Sequence, residues 1–128
     1  MRLLLDTHLL IWAAKDLPRL SATARALMIA RENERFFSVS SIWEIALEAS
    51  LGREDFVPDA TAFRSRLLAN GYQEFPILAP HVPYPSKLPA IHKDPFDRLL
   101  VARALVEGLT LLTSDAVVAR YSAAIPRV

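Results

Sequence analysis

Residues 3–12 read Leu-Leu-Leu-Asp-Thr-His-Leu-Leu-Ile-Trp, a carboxylate set into an otherwise apolar stretch. Leu3 to Leu5 is a run of strand length, and Leu9, Leu10, Trp12 and Ala13 recur at helical spacing. A buried strand therefore passes directly into a helix, Thr7 to Lys15, with Asp6 at the junction. A carboxylate placed there costs desolvation free energy unless something compensates it. The same alternation continues along the chain. Asp16-Leu-Pro18 stops the first helix, and Ser21 caps a second that runs to Glu34. Phe36 to Val39 is a short strand, Ser41 to Leu51 a helix stopped by Gly52, and Asp59 to Asn70 a helix stopped by Gly71. Six prolines between Pro76 and Pro95 exclude a long regular helix, so Ala79 to Leu88 reads as a broken helical connection. Pro95 to Glu107 is a helix with proline in its first turn and Gly108 beyond its end. Leu109 to Leu112 is a strand, Asp115 to Tyr121 a short helix, and Ala123 to Val128 a final strand. Strands separated by helices pair in parallel through right-handed crossovers. The expected fold is α/β, a three-layer α/β/α sandwich with a central parallel sheet.

With 128 residues the chain suits one domain, 1–128, and a hydrophobic content of 52% excludes a disordered segment. The absence of cysteine excludes a disulfide scaffold, a zinc ribbon and a thiol nucleophile. A formal charge of +1 offers no global electrostatic case for nucleic acid. Arg2 and the apolar residues after it superficially resemble a leader peptide, but Asp6, Thr7 and His8 interrupt them. No apolar run approaches the ~20 residues of a membrane span. The expectation is a soluble, cytoplasmic protein with no membrane partner.

Five acids stand at junctions: Asp6 after the first strand, Glu44 in the third helix, Asp94 and Asp97 at the Pro95 helix, and Asp115 after the Leu109 to Leu112 strand. In an open parallel sheet these points gather outside the carboxyl ends of the strands. Each acid has a local alternative. Ser41-Ile-Trp-Glu44 fits a capping box, Asp94 before Pro95 fits an N-cap with Asp97 in the first turn, and Ser114 or Asp115 caps the last helix. Jointly, converging carboxylates repel and raise one another's pKa values, a conflict that a hard divalent cation resolves. Oxygen-only ligation points to Mg²⁺ or Mn²⁺, and such a site suits phosphodiester or phosphoryl chemistry.

Asp6-Thr7 after an apolar strand, Ser41-Ile-Trp-Glu44-Ile-Ala, His92-Lys-Asp-Pro-Phe-Asp97-Arg-Leu-Leu-Val-Ala and Leu112-Thr-Ser-Asp115 follow one another as in PIN domains. The chain most resembles the VapC-type toxins of bacterial toxin–antitoxin modules. That resemblance implies a parallel-sheet sandwich and a metal-dependent endoribonuclease whose acidic quartet maps onto Asp6, Glu44, Asp97 and Asp115. Asp97 takes the third place because Asp97-Arg-Leu-Leu-Val-Ala matches the family's acid followed by an apolar helix. Asp94 is then a cap, contributing at most from behind the metal ligands, and Thr7 and Thr113 match polar positions that orient carboxylates or water. The resemblance implies an RNA substrate and a cognate antitoxin, and a homodimer is compatible with it. Two departures stand out: Glu48 occupies a place where similar proteins often carry lysine, and the Ala79 to Pro89 stretch is less helical than usual.

His8 and His92 flank the acids, and a hydrogen-bonded structural histidine in a loop is the default for both. Trp12 and Trp43 lie on apolar helix faces, where core or interface packing is expected. They would anchor an antitoxin tail in a groove between the Thr7 to Lys15 and Ser41 to Leu51 helices. Arg64, Arg66, Lys87, Lys93, Arg98 and Arg103 read as a solvated face with only a weak claim on phosphate. The alternative functions are a non-toxin RNA-processing protein of the same fold and a non-catalytic interaction module. A receiver domain would carry adjacent acids after the first strand and a late lysine, and a haloacid-dehalogenase-like phosphatase would carry Asp where His8 stands.

Overall fold

Leu3, Leu4 and Leu5 are all fully buried because the strand that carries them, β1 (Arg2–Leu5), lies inside the sheet with a layer on each face. A computed structural model describes residues 1–52 and 58–128. β1 pairs in parallel with β2 (Glu34–Ser38) on one side and β4 (Thr110–Leu112) on the other, and β3 (Gln73–Phe75) extends the sheet beyond β2. Alternate side chains of each strand point to opposite faces. Leu3, Leu5, Phe37 and Leu112 accordingly pack with residues of α1 (Thr7–Ala14), α2 (Ala22–Ile29), α3 (Val39–Ser50) and α4 (Ala60–Ala69). Leu4, Phe36 and Leu111 face the other way, against α5 (Pro95–Glu107) and Val118 of α6 (Ala116–Ala119). The fold is the expected parallel sheet flanked by helices.

Several boundaries differ from the sequence reading. α2 ends at Ile29 rather than Glu34, because the Asn33 side chain donates to the Leu27 carbonyl (2.9 Å) and turns the chain into β2. α3 begins at Val39, and its cap is Ser38, whose Oγ accepts from the Ser40 amide (2.9 Å). Ser41 is therefore already helical and Glu44 lies in the second turn, so the expected capping box is absent. β3 has no counterpart in the sequence reading: Gln73-Glu-Phe75 is too short and polar to read as an apolar run. The expected final strand reduces to a single parallel bridge between Thr113 and Arg127, since Pro126 has no amide to donate. α5 matches its expected bounds, with Gly108 in the left-handed region (φ 68°) just beyond it.

The proline-rich connection folds as two short 3₁₀ turns, Ala79–His81 and Tyr84–Lys87. Arg98 fastens it to α5, donating to the carbonyls of Pro85 (2.5 Å), Pro89 (3.1 Å) and His92 (3.2 Å) and to the Tyr121 hydroxyl (3.1 Å). Arg103 departs furthest from the expected solvated face. It is fully buried, stacks over Phe75 (4.4 Å) and donates to the Phe75 and Pro76 carbonyls and to Ser38 Oγ. The two tryptophans also part company. Trp12 packs against the α1/α2/α4 core, whereas Trp43 is 58% exposed and meets Phe96, so they do not line one groove.

Candidate active site

The parallel topology sends the ends of β1, β2 and β4 to one edge of the sheet, and the acids collect there. Asp6 closes β1 and is only 3% exposed. Its Oδ1 accepts from the His8 amide (2.9 Å), capping α1, and its Oδ2 accepts from the Thr113 hydroxyl (2.8 Å). Thr113 Oγ1 in turn accepts from the Asp115 amide (3.0 Å), so one buried hydroxyl links the acid after β1 to the acid after β4. Thr7 donates to Ser41 Oγ (2.8 Å), joining α1 to α3 beside Glu44.

Glu44 is 7% exposed, and its Oε1 has no hydrogen-bond partner among the described residues. Burial pushes its carboxyl up to about 7; the Thr7 hydroxyl opposes this, and the charges of Asp94 and Glu48 add to it. Asp97 is pushed up to about 8, first by burial and then by repulsion from Asp6, Asp94, Glu44 and Asp115. Every acid singled out in the sequence is therefore close enough to disturb Asp97. Asp115 behaves oppositely. Burial pulls it up, but bonds from the Val117 and Val118 amides and the nearby His92 hold it below the ordinary carboxylate range. Asp94 is a cap, its Oδ1 accepting from the amides of Phe96 (2.8 Å) and Asp97 (3.2 Å).

His92 has a larger place than its loop position suggested. Its Nδ1 accepts from the Asp94 amide (3.0 Å), which leaves the ring proton on Nε2. That atom faces Asp97 Oδ2 at 3.1 Å and Asp115 Oδ2 at 3.4 Å and donates between them. One ligand atom from each of His92, Asp97 and Asp115 lies within 4.8 Å of the others. Only the His92-Lys-Asp94 spacing, which lets the ring accept from the amide two residues on, marked this in the sequence. His8 sits at the rim, its Nδ1 3.6 Å from Asp6 Oδ1, and is raised to about 9 chiefly by its pairing with that acid.

A crowded set of carboxylates, two of them held protonated near neutrality and one with an orphaned buried oxygen, fits a hard divalent cation. The donors are carboxylate oxygens, and the His92 imidazole between Asp97 and Asp115 presents N–H rather than a lone pair.

The PIN domain family matches residues 3–124. Comparison with curated proteins returned no match. Among solved structures the fold is similar to VapBC2 from Rickettsia felis, bound to a DNA fragment from their promoter, at TM-score 0.71 and 18% identity over 98% of this chain and 96% of that one. VapBC-1 from nontypeable Haemophilus influenzae aligns at TM-score 0.64 and 16% identity over 98% and 95% of the two chains. FitAcB from Neisseria gonorrhoeae aligns at TM-score 0.56 and 17% identity over 91% and 89%. At such identities the likeness is one of fold.

Proposed function

The chain belongs to the PIN domain family, and from that premise we propose that it is a divalent-metal-dependent endoribonuclease, the toxin of a toxin–antitoxin pair. The orphaned Glu44 oxygen beside a protonated Asp97 carries the reading, because a structural cluster of caps would leave neither in that condition. Asp6, Glu44, Asp97 and Asp115 would hold one or two Mg²⁺ ions, with Mn²⁺ as the alternative. A divalent cation bound there supplies positive charge to a phosphodiester and acidity to an attacking water.

The chain's own groups prepare that chemistry. Thr113 and the His8 amide fix both oxygens of Asp6, so its orientation is set before anything binds. Glu44 and Asp97 would give up their protons where a divalent cation is held, and their carboxylates would then serve as its ligands. The Nε2–H of His92 bridges Asp97 and Asp115 and keeps the two carboxylates facing each other. Thr7 and Asp94 act from behind, through Ser41 and through the first turn of α5.

A free nuclease of this kind needs a neutraliser, and the solved neighbours are toxin–antitoxin assemblies. We take a cognate antitoxin as the partner, RNA as the substrate, a cytoplasmic location and assembly as a homodimer. No helix among the described residues is long and apolar enough to cross a membrane. An antitoxin arginine reaching Asp6 and Asp97 would offset their repulsion and compete with metal.

The test is cleavage of a panel of structured RNAs with Mg²⁺, with EDTA, and with Asp6→Asn, Glu44→Gln, Asp97→Asn and Asp115→Asn. Cleavage that needs Mg²⁺ and is lost in these variants is expected. Cleavage that survives EDTA or Asp97→Asn would overturn the reading.

A further inference from the structure

Trp43 and Phe96 are the residues immediately before Glu44 and Asp97. They sit on α3 and α5, the helices that carry those two acids. Successive side chains of a helix diverge by about 100°. Thus, while Glu44 turns inward to 7% exposure, Trp43 emerges beside it at 58%. Its ring meets that of Phe96 at 5.0 Å between centroids and 69° between planes. The near-perpendicular pair bridges the two helices at the lip of the acidic crevice and leaves much of the indole open. The ring heads an exposed apolar stripe that Leu47 and Leu51 continue along α3, and a contiguous patch of this kind, unlike a lone side chain, marks a binding surface.

We propose that the Trp43–Phe96 pair is a stacking shelf for one unpaired nucleobase of the RNA strand, next to the crevice; this rests on the nuclease reading above. The position favours such an occupant, because a strand that reaches Glu44 and Asp97 passes the residues directly before them on α3 and α5. Glu48 and Asp94 lie close enough to Glu44 to act on its charge, so phosphates that pass them meet like charge beside the crevice. The arginines of α5 do not relieve it, because Arg98 and Arg103 are turned inward onto backbone carbonyls. A strand held against that field needs contacts that do not depend on phosphate, and stacking on an aromatic face is such a contact. It is also tolerant of base identity, because every base has a π-face, and it selects unpaired over paired nucleotides. The competing occupant is protein: Leu47 and Leu51 continue the exposed apolar stripe along α3, at 38% and 59% exposure.

The deciding experiment uses the full chain with Asp97→Asn, which holds a strand without cutting it, and Trp12→Phe, which leaves Trp43 as the sole tryptophan. Single-stranded oligouridylate is expected to quench Trp43 emission. Trp43→Ala should weaken binding, read by anisotropy, about tenfold, and Trp43→Phe should retain most of the affinity. Among oligouridylates each made abasic at one position, one should lose about as much with Trp43 in place and nothing further in the Trp43→Ala variant. Unchanged affinity in Trp43→Ala, or equal abasic losses in both proteins, would overturn the shelf while leaving the nuclease reading intact. A changed sedimentation coefficient with unchanged RNA affinity would assign the surface to protein and overturn it as well. If the parent chain neither binds nor cleaves RNA, the nuclease reading fails and the shelf falls with it.

Discussion

Asp97 and Glu44 hold their protons to about 8 and about 7, against ordinary values of 3.8 and 4.5. A carboxyl that binds its proton more tightly when folded contributes most below its unfolded pKa, and that contribution is lost as pH rises through the folded value. The metal-free protein should therefore lose melting temperature between about pH 4 and about pH 8, the window those shifts define. Asp97→Asn should flatten the profile and raise the melting temperature near pH 8 by on the order of a few degrees. A wild-type melting temperature that climbs across this window would contradict the protonated state. The neighbouring acid behaves differently. Asp94 accepts from two amides of the α5 turn, and asparagine caps about as well as aspartate. Asp94→Asn should keep nuclease activity that Asp97→Asn abolishes, measured on the same RNA. The identity of the two acids was legible from Asp94-Pro-Phe-Asp97, but the titration of Asp97 was not, because it depends on charges brought from β1, α3 and the end of β4.

α3 shows how a single hydroxyl sets an element. Ser38 caps the helix and also receives the buried Arg103 guanidinium, so its removal deletes a cap and strands a charged donor. Ser38→Ala should cost about 2 kcal/mol in urea denaturation, more than an isolated cap. Glu44→Gln should not weaken α3, since Glu44 lies in the second turn and caps nothing, and near pH 8 it should remove the loss that the buried carboxyl causes. That variant should nevertheless lose metal binding, by calorimetry. The Ser41 signal misled because Ser38, Ser40 and Ser41 are all local capping candidates. The choice among them was made by Arg103, which crosses from α5 to Ser38. β3 was hidden for a related reason: its edge position is secured by pairing with β2 rather than by an apolar run of its own.

At the scale of the whole molecule, parallel pairing of β1 with β2 and β4 is what turns scattered junction acids into a cluster. Metal that binds only the assembled crevice must stabilise the fold by linkage. Mg²⁺ at ~100 times its dissociation constant should add about 2.7 kcal/mol, reversed by EDTA. Asp6→Ala/Asp97→Ala should abolish the shift in a thermal melt, and an equal shift in that variant would mean the ion binds elsewhere. An antitoxin complex in which an arginine occupies the crevice should show a smaller shift than the free chain.

What the sequence determined by itself is whatever depends on covalent neighbours: the buried β1 strand, the turn into α1 at Asp6, both ends of α5, the broken helix after Pro76, and acids at strand ends. Periodicity, caps and proline geometry act within a turn or two, so they are written locally. Only the tertiary structure decided the start of α3, the β3 edge, the burial of Arg103, the bridging place of His92, and the separation of Trp12 from Trp43. These depend on partners far along the chain, as in the bond from Thr113 to Asp6 across 107 residues. Burial and charge at such a distance are properties of the assembled crevice, and no stretch of the chain carries them alone.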